Sequence, residues 1–214
     1  MTAVILANGE FPRKEYPLWK LRNADVVVCC DSAVSLRRLR RLGIEPAAVV
    51  GDMDSTPASL REELGPRAVR VEEQDYNDLD KAFRWLRANY PQADDICILG
   101  ALGRSEAHAL GNLSYLLFWE KEMTLSASGV RVEMVSDYNT AFVVTDSCEL
   151  HVGEGRKLSF FVQDPSLCIK TSGLEWPLDD VHFDYWFRGT LNRATTDVVS
   201  LQFNHPSPVL VVLD

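Results

Sequence analysis

The sequence predicts an α/β fold: an N-terminal α/β/α domain with a mostly parallel sheet, followed by a C-terminal all-β sandwich domain. Three observations carry that expectation. Short apolar runs alternate with amphipathic helical segments over the first two-thirds of the chain, this alternation stops near Ser136, and short β-type runs separated by turn residues follow. Strands that alternate with helices need crossover connections, hence parallel pairing with both faces covered, whereas closely spaced strands pair antiparallel.

In the first part the strand candidates are 3–7, 25–30, 47–50, 68–71, 96–99 and 130–135. The helical candidates between them are 32–42, 78–89 and 106–122. In the second of these, Leu79, Ala82, Phe83 and Leu86 share one face at helical spacing. The second part offers β runs at 141–145, 157–162, 167–170, 198–203 and 209–213. Gly153-Glu154-Gly155, Asp164-Pro165-Ser166 and Ser207-Pro208 supply its turns. A join near 137–140 divides the chain into 1–136 and 137–214.

Composition narrows the function. With 31 acidic residues against 22 basic ones the net charge is -9, which argues against a duplex nucleic-acid partner. The one basic run, Arg37-Arg38-Leu39-Arg40-Arg41, reads as a solvated helix face. The apolar run behind Met1 is too short for a signal-peptide core or a membrane span, so no membrane partner is expected. Five cysteines without metal spacing read as reduced thiols of a cytoplasmic protein.

In an open parallel sheet, ligands bind beyond the carboxyl ends of the strands. Acidic residues recur at that edge: Asp31 after the second strand, Gly51-Asp52-Met53-Asp54-Ser55 after the third, and Asp75 and Asp78 after the fourth. Any one of them reads equally well as a cap on the next helix. Together they repel one another unless a cation compensates, and magnesium prefers hard oxygens shared with phosphate. The expectation is a site for magnesium and a nucleotide polyphosphate. The Gly-x-x-x-x-Gly-Lys-Ser/Thr phosphate loop, the Gly-x-Gly-x-x-Gly fingerprint and the Gly-x-Ser-x-Gly nucleophile elbow are all missing.

The ordered set GDMDS (51–55), QDYNDLDKA (74–82) and GALGRSEAHALGNL (100–113) resembles the thiamine pyrophosphokinases, with GLEW (173–176) and GTL (189–191) similar to their thiamine-binding domain. The likeness covers nearly the whole chain. It implies transfer of diphosphate from ATP to the hydroxyethyl group of thiamine, releasing AMP, with Mg2+ as cofactor and a homodimer as the assembly. Carried over position by position, it implies that Asp52, Asp54, Asp75 and Asp78 are catalytic and hold the metal. Asp31, Asn77, Lys81, Arg104, His108 and Asn112 would bind the nucleotide. Trp176, Thr195 and Thr196 would bind thiamine, Trp176 by stacking on the cationic ring.

Three positions depart from the family pattern. Ser32 stands where glycine is usual, and Ser105 and Ala107 stand in place of an arginine and an aspartate. Serine cannot grip phosphate as a guanidinium fork does. The departures leave open a diverged module that binds thiamine or its diphosphate with weak or no transfer. Asp52-Met53-Asp54-Ser55-Thr56 also resembles the motif of a magnesium-dependent phosphatase, where the first aspartate follows the first strand; here it follows the third.

Overall fold

The computed structural model describes residues 1–214, the side chain of Ala33 excepted. The chain divides into two compact units, Met1–Tyr115 with Gly129–Asp137, and Leu116–Ser128 with Tyr138–Asp214. Among the described residues, no helix is long and apolar enough to cross a membrane.

The first unit is built from β1 (Thr2–Leu6), α1 (Glu15–Arg22), β2 (Val26–Cys30), α2 (Ala33–Arg41), β3 (Ala48–Gly51), α3 (Ala58–Leu64), β4 (Ala68–Arg70), α4 (Asp78–Asn89), β5 (Asp95–Leu99), the start of α5 (Glu106–Met123) and β6 (Arg131–Val135). Its strands pair in parallel in the order β6-β5-β1-β2-β3-β4. The chain runs outward from β1 to β4 and then returns to the other side of β1. The strand order therefore reverses between β1 and β5, where such sheets open a crevice. All five residues of β2 and all four of β3 are buried, as expected of strands covered on both faces.

Two helices escape the periodicity argument. In α1, Pro17 lies in the first turn, where backbone N–H groups have no intrahelical acceptor, and only Pro17 and Leu21 are buried. The seven-residue α3 buries Leu64 alone. In the basic run Arg37, Arg38 and Arg41 are exposed and Leu39 is buried. Arg40 pairs with Glu45 and Glu63, at 3.3 and 2.9 Å, whereas Arg38 lies over the Phe11 ring.

The second unit holds β7 (Thr140–Val144), β8 (Cys148–His151), β9 (Lys157–Val162), β10 (Ile169–Ser172), β11 (Asn192–Arg193), β12 (Val198–Phe203) and β13 (Val209–Leu213). Antiparallel pairing gives β7-β13-β9-β11 on one side and β8-β12-β10 on the other. Leu158, Phe160, Ile169, Val199, Leu201 and Val211 come from both sheets into one core, which makes the unit a sandwich. Sequence reasoning passed over β8, where Glu149 and His151 are exposed around the single buried Leu150. It also set β10 two residues early, because buried Leu167 belongs to the preceding turn.

Candidate functional site

Asp31, Asp52 and Asp78 converge at the carboxyl edge of the parallel sheet. Each offers an oxygen, and the three lie within 4.8 Å of one another. The local sequence explains the meeting. The Asp31 N–H donates to the Val50 carbonyl at 2.8 Å, which prolongs the β2–β3 ladder by one residue. Gly51 then leaves the space the carboxylates use: a Cβ there would stand 2.5 Å from Asp31 Cβ and 2.9 Å from Asp78 Oδ1. Met53 follows with φ +69, a left-handed conformation that costs a non-glycine residue on the order of 1–3 kcal/mol. Its side chain is buried in the core, which holds the turn. The turn brings the Asp54 N–H to Asp52 Oδ1 at 3.1 Å.

The third carboxylate comes from α4. Asn77 caps that helix, its Oδ1 accepting from the N–H groups of Leu79 and Asp80 at 3.1 and 3.2 Å. Asp78 is therefore the first helical residue. Asn77 Nδ2 also donates to Asn112 Oδ1 at 3.1 Å, and Asn112 Nδ2 donates to the Ala101 carbonyl at 2.7 Å. These bonds tie α4, α5 and the loop after β5 into one frame.

Charge at the cluster is only partly answered by the protein. Asp31 is 2% exposed and accepts from the Ser55 N–H at 2.9 Å and from the Thr56 hydroxyl. Burial, then the Asp52 charge, pushes the Asp78 carboxyl above its ordinary value, against the pull of Lys81. Lys81 Nζ lies 3.6 Å from Asp78 Oδ1 with its side chain 3% exposed. The Asp54 N–H, opposed by partial burial, holds the Asp52 carboxyl below its ordinary value. One ammonium facing three carboxylates leaves a site that favours a cation. The donors are hard oxygens on rigid backbone with open space beside them, which fits magnesium held by carboxylates, waters and phosphate. Cys30 also borders the space, but burial above all, then neighbouring Cys29 and the Asp78 and Asp31 charges, pushes its thiol well above its ordinary value. Such a shift disfavours the thiolate.

That space is a cleft of about 480 Å³ running from the cluster to the β1 and β5 ends. Of the expected nucleotide residues, Asp31, Asn77, Arg104, His108 and Asn112 line it. Arg104 has φ +65, and its Nη1 donates to the Asn8 carbonyl at 2.8 Å. Ser105, which replaces an expected arginine, caps α5 by accepting the His108 N–H at 3.4 Å. The structure does not gather every expected carboxylate: Asp54 and Asp75 are exposed and stand outside the group of three. Asp31, expected among the nucleotide-binding residues, is one of the three. Sequence reasoning overlooked Asn8, whose Oδ1 accepts from the Ser32 hydroxyl at 2.8 Å and whose position after β1 was the available signal.

In the second unit, Trp176, Thr195 and Thr196 fall on one short ribbon. Leu174 bridges Ala194, the Thr195 N–H donates to the Gly173 carbonyl at 2.9 Å, and the Glu175 N–H donates to Arg193 at 2.9 Å. Asn192 clamps the tryptophan backbone in both directions, at 3.2 and 2.6 Å. Gly173 has φ +82 and approaches the Val198 carbonyl too closely for any Cβ, which would sit at 2.5 Å. The Trp176 side chain itself is 55% exposed.

Comparison with known proteins gives a family match for each of two parts of the chain. Residues 18–126 match the thiamin pyrophosphokinase catalytic domain, and residues 141–209 match the thiamin pyrophosphokinase substrate-binding domain. Among solved structures, the thiamine pyrophosphokinase of Bacillus subtilis has a TM-score of 0.77 at 19% identity, covering 100% of this chain and 99% of that one. A thiamin pyrophosphokinase family protein of Enterococcus faecalis gives 0.78 at 16% identity, covering 100% and 99%. The yeast thiamin pyrophosphokinase gives 0.75 at 14% identity, covering 99% and 85%. At these identities the structural likeness speaks for the fold. No curated protein matches the chain significantly.

Proposed function

The chain belongs to the thiamin pyrophosphokinase family, which moves a diphosphate from ATP to thiamine, and on that premise we propose how its own residues divide the work. The convergence of Asp31, Asp52 and Asp78 carries the reading. These three hold magnesium and, through it, the diphosphate in transfer; Asp54 and Asp75 serve as outer carboxylates of the same site. Magnesium there supplies charge neutralisation on the phosphoryl oxygens. Lys81 holds Asp78 in place and adds a cation beside the phosphates. Asn77 and Asn112 fix the helix ends that frame the nucleotide, and Arg104 and His108 face it from the loop after β5 and the start of α5.

Thiamine is assigned to Trp176, Thr195 and Thr196. An exposed indole on a clamped backbone offers a face to a flat cation at little ordering cost. We further propose a homodimer, which would cover exposed Tyr185, Phe187 and Leu191, and a cytoplasmic setting, consistent with five unpaired cysteines. The test is AMP release with ATP, thiamine and magnesium. Omission of thiamine or magnesium is expected to abolish it. Absence of AMP and thiamine diphosphate at saturating substrates would overturn the reading.

A further inference from the structure

A second cleft, of about 700 Å³, adjoins the acidic one and shares Asn8, Gly9 and Arg104 with it. Its chemistry is opposite. Arg13, Arg38, Arg41 and Arg104 line it against a single acid, Glu10, which lies 3.6 Å from Arg13. Four guanidinium groups around one cavity are not the background of a chain with net charge -9.

Two of these arginines, Arg38 and Arg41, are not spent on ion pairs. On α2, Arg40 is engaged by Glu45 and Glu63, whereas Arg38 and Arg41 have no carboxylate partner among the described residues. Arg38 is exposed, with its guanidinium carbon over Phe11, 5.3 Å from the ring centre, an arrangement that leaves its N–H donors available. Arg104 sits on the boundary, fixed by its bond to the Asn8 carbonyl. A ligand that spans both clefts thus meets carboxylates at one end and guanidinium groups at the other. The carboxylate end needs a metal to accept phosphate; the arginine end does not.

Resting on the family reading above, we propose that the arginine cleft is a metal-independent phosphate subsite, built by Arg38, Arg41 and Arg104, for the end of the ATP phosphate chain that leaves with the nucleoside. In the reaction the thiamine hydroxyl oxygen bonds to the β-phosphorus and its proton goes to water. The bond from that phosphorus to the bridging oxygen breaks, and its electron pair stays on the α-phosphate of AMP. The guanidinium groups face the charge that grows there.

The experiment uses inorganic tripolyphosphate and AMP as probes in EDTA, by calorimetry, and steady-state kinetics with magnesium. The wild-type chain is expected to bind tripolyphosphate without metal, and Arg38→Gln/Arg41→Gln to bind it at least about tenfold more weakly. AMP binding should weaken, and KM for ATP should rise by a similar factor while KM for thiamine stays put. Arg38→Lys/Arg41→Lys should recover part of the loss, with unchanged Tm showing that the fold is intact. Equal binding by wild type and the glutamine variant, or none by the wild type, overturns the proposal. Weaker tripolyphosphate binding with unchanged AMP binding and ATP KM also overturns it, since the cleft would then serve a separate anion. Asp52→Asn separates the two readings: it should abolish turnover yet keep metal-free tripolyphosphate binding. Full activity in Asp52→Asn would sink the metal-site reading whatever the arginines do.

Discussion

The aspartate cluster of the first unit and Trp176 of the second are both fixed through their backbones, yet they hold opposite kinds of unfinished business. Asp31, Asp52 and Asp78 are brought together by the strand ends and a capped helix, with Lys81 beside Asp78 offsetting part of their repulsion. Trp176 is clamped by Asn192 while its ring stays 55% exposed. The first arrangement stores electrostatic repulsion that a cation relieves; the second stores apolar surface that a flat ligand covers. Removing an aspartate should therefore harm activity without harming the fold. Removing the indole should harm ligand affinity alone.

The largest expected effect is at the cluster. Asp78→Asn keeps the shape of the side chain and removes one of the mutually repelling charges. Turnover should fall by about 100- to 1,000-fold, the scale of losing one preorganised electrostatic contact. The Tm of the metal-free protein should hold or rise. A variant within a few-fold of wild-type turnover would mean that Asp78 does not hold the metal.

Gly51→Ala attacks the same place through packing. The new Cβ meets Asp31 Cβ, which is tied to backbone and cannot swing aside. Thermal or denaturant unfolding should show a loss of about 1–3 kcal/mol, typical of overpacking, together with lost activity. Stability and activity fall together here and part company in Asp78→Asn. Unchanged stability in Gly51→Ala would mean that the three carboxylates do not need this close approach.

What was legible in the sequence follows the same division. The strands of the first unit were readable because buried parallel strands are continuous apolar runs, and α4 because Leu79, Ala82, Phe83 and Leu86 repeat at helical spacing. The short α1 and α3 bury too few residues to impose a period. At the site, the strand-end rule picked out Asp31, Asp52 and Asp78. It could not say that Asp54 stands outside that group of three, because the left-handed turn at Met53 leaves no mark on a residue type that seldom adopts it. The arginine run shows the converse limit: sequence alone cannot say that Arg40 is paired while Arg38 and Arg41 line a cleft.

Trp176→Ala removes the exposed ring of the second unit and should have a smaller effect. Loss of an aromatic face under a cation should raise KM for thiamine by about tenfold. KM for ATP and Tm should not move, because the ring is mostly outside the core. Trp176→Phe should recover part of the affinity. A drop in Tm without a change in thiamine KM would recast the residue as structural.

The smallest effect, and the one that isolates the stored repulsion, is the pH dependence of stability at Asp78. Its carboxyl is raised by burial first and by the Asp52 charge next, so the folded state binds this proton more tightly than the unfolded chain. Below the ordinary carboxylate range Asp78 is protonated in both states and carries no penalty. As pH climbs through the raised folded value the proton is lost, and the stability it contributed is lost with it. Asp78→Asn never incurs that penalty. In EDTA, the stability gap between the variant and the wild type should be near its minimum at about pH 4 and widen towards pH 7, as read from denaturant midpoints. Asp52, held below its ordinary value by the Asp54 N–H, titrates in both proteins and largely cancels in the difference. Added magnesium should narrow the gap at neutral pH by neutralising the wild-type cluster, and Trp176→Ala should show no such pH dependence against the wild type. A gap that stays constant from acid to neutral pH would mean that Asp78 is not held against its neighbours' charge.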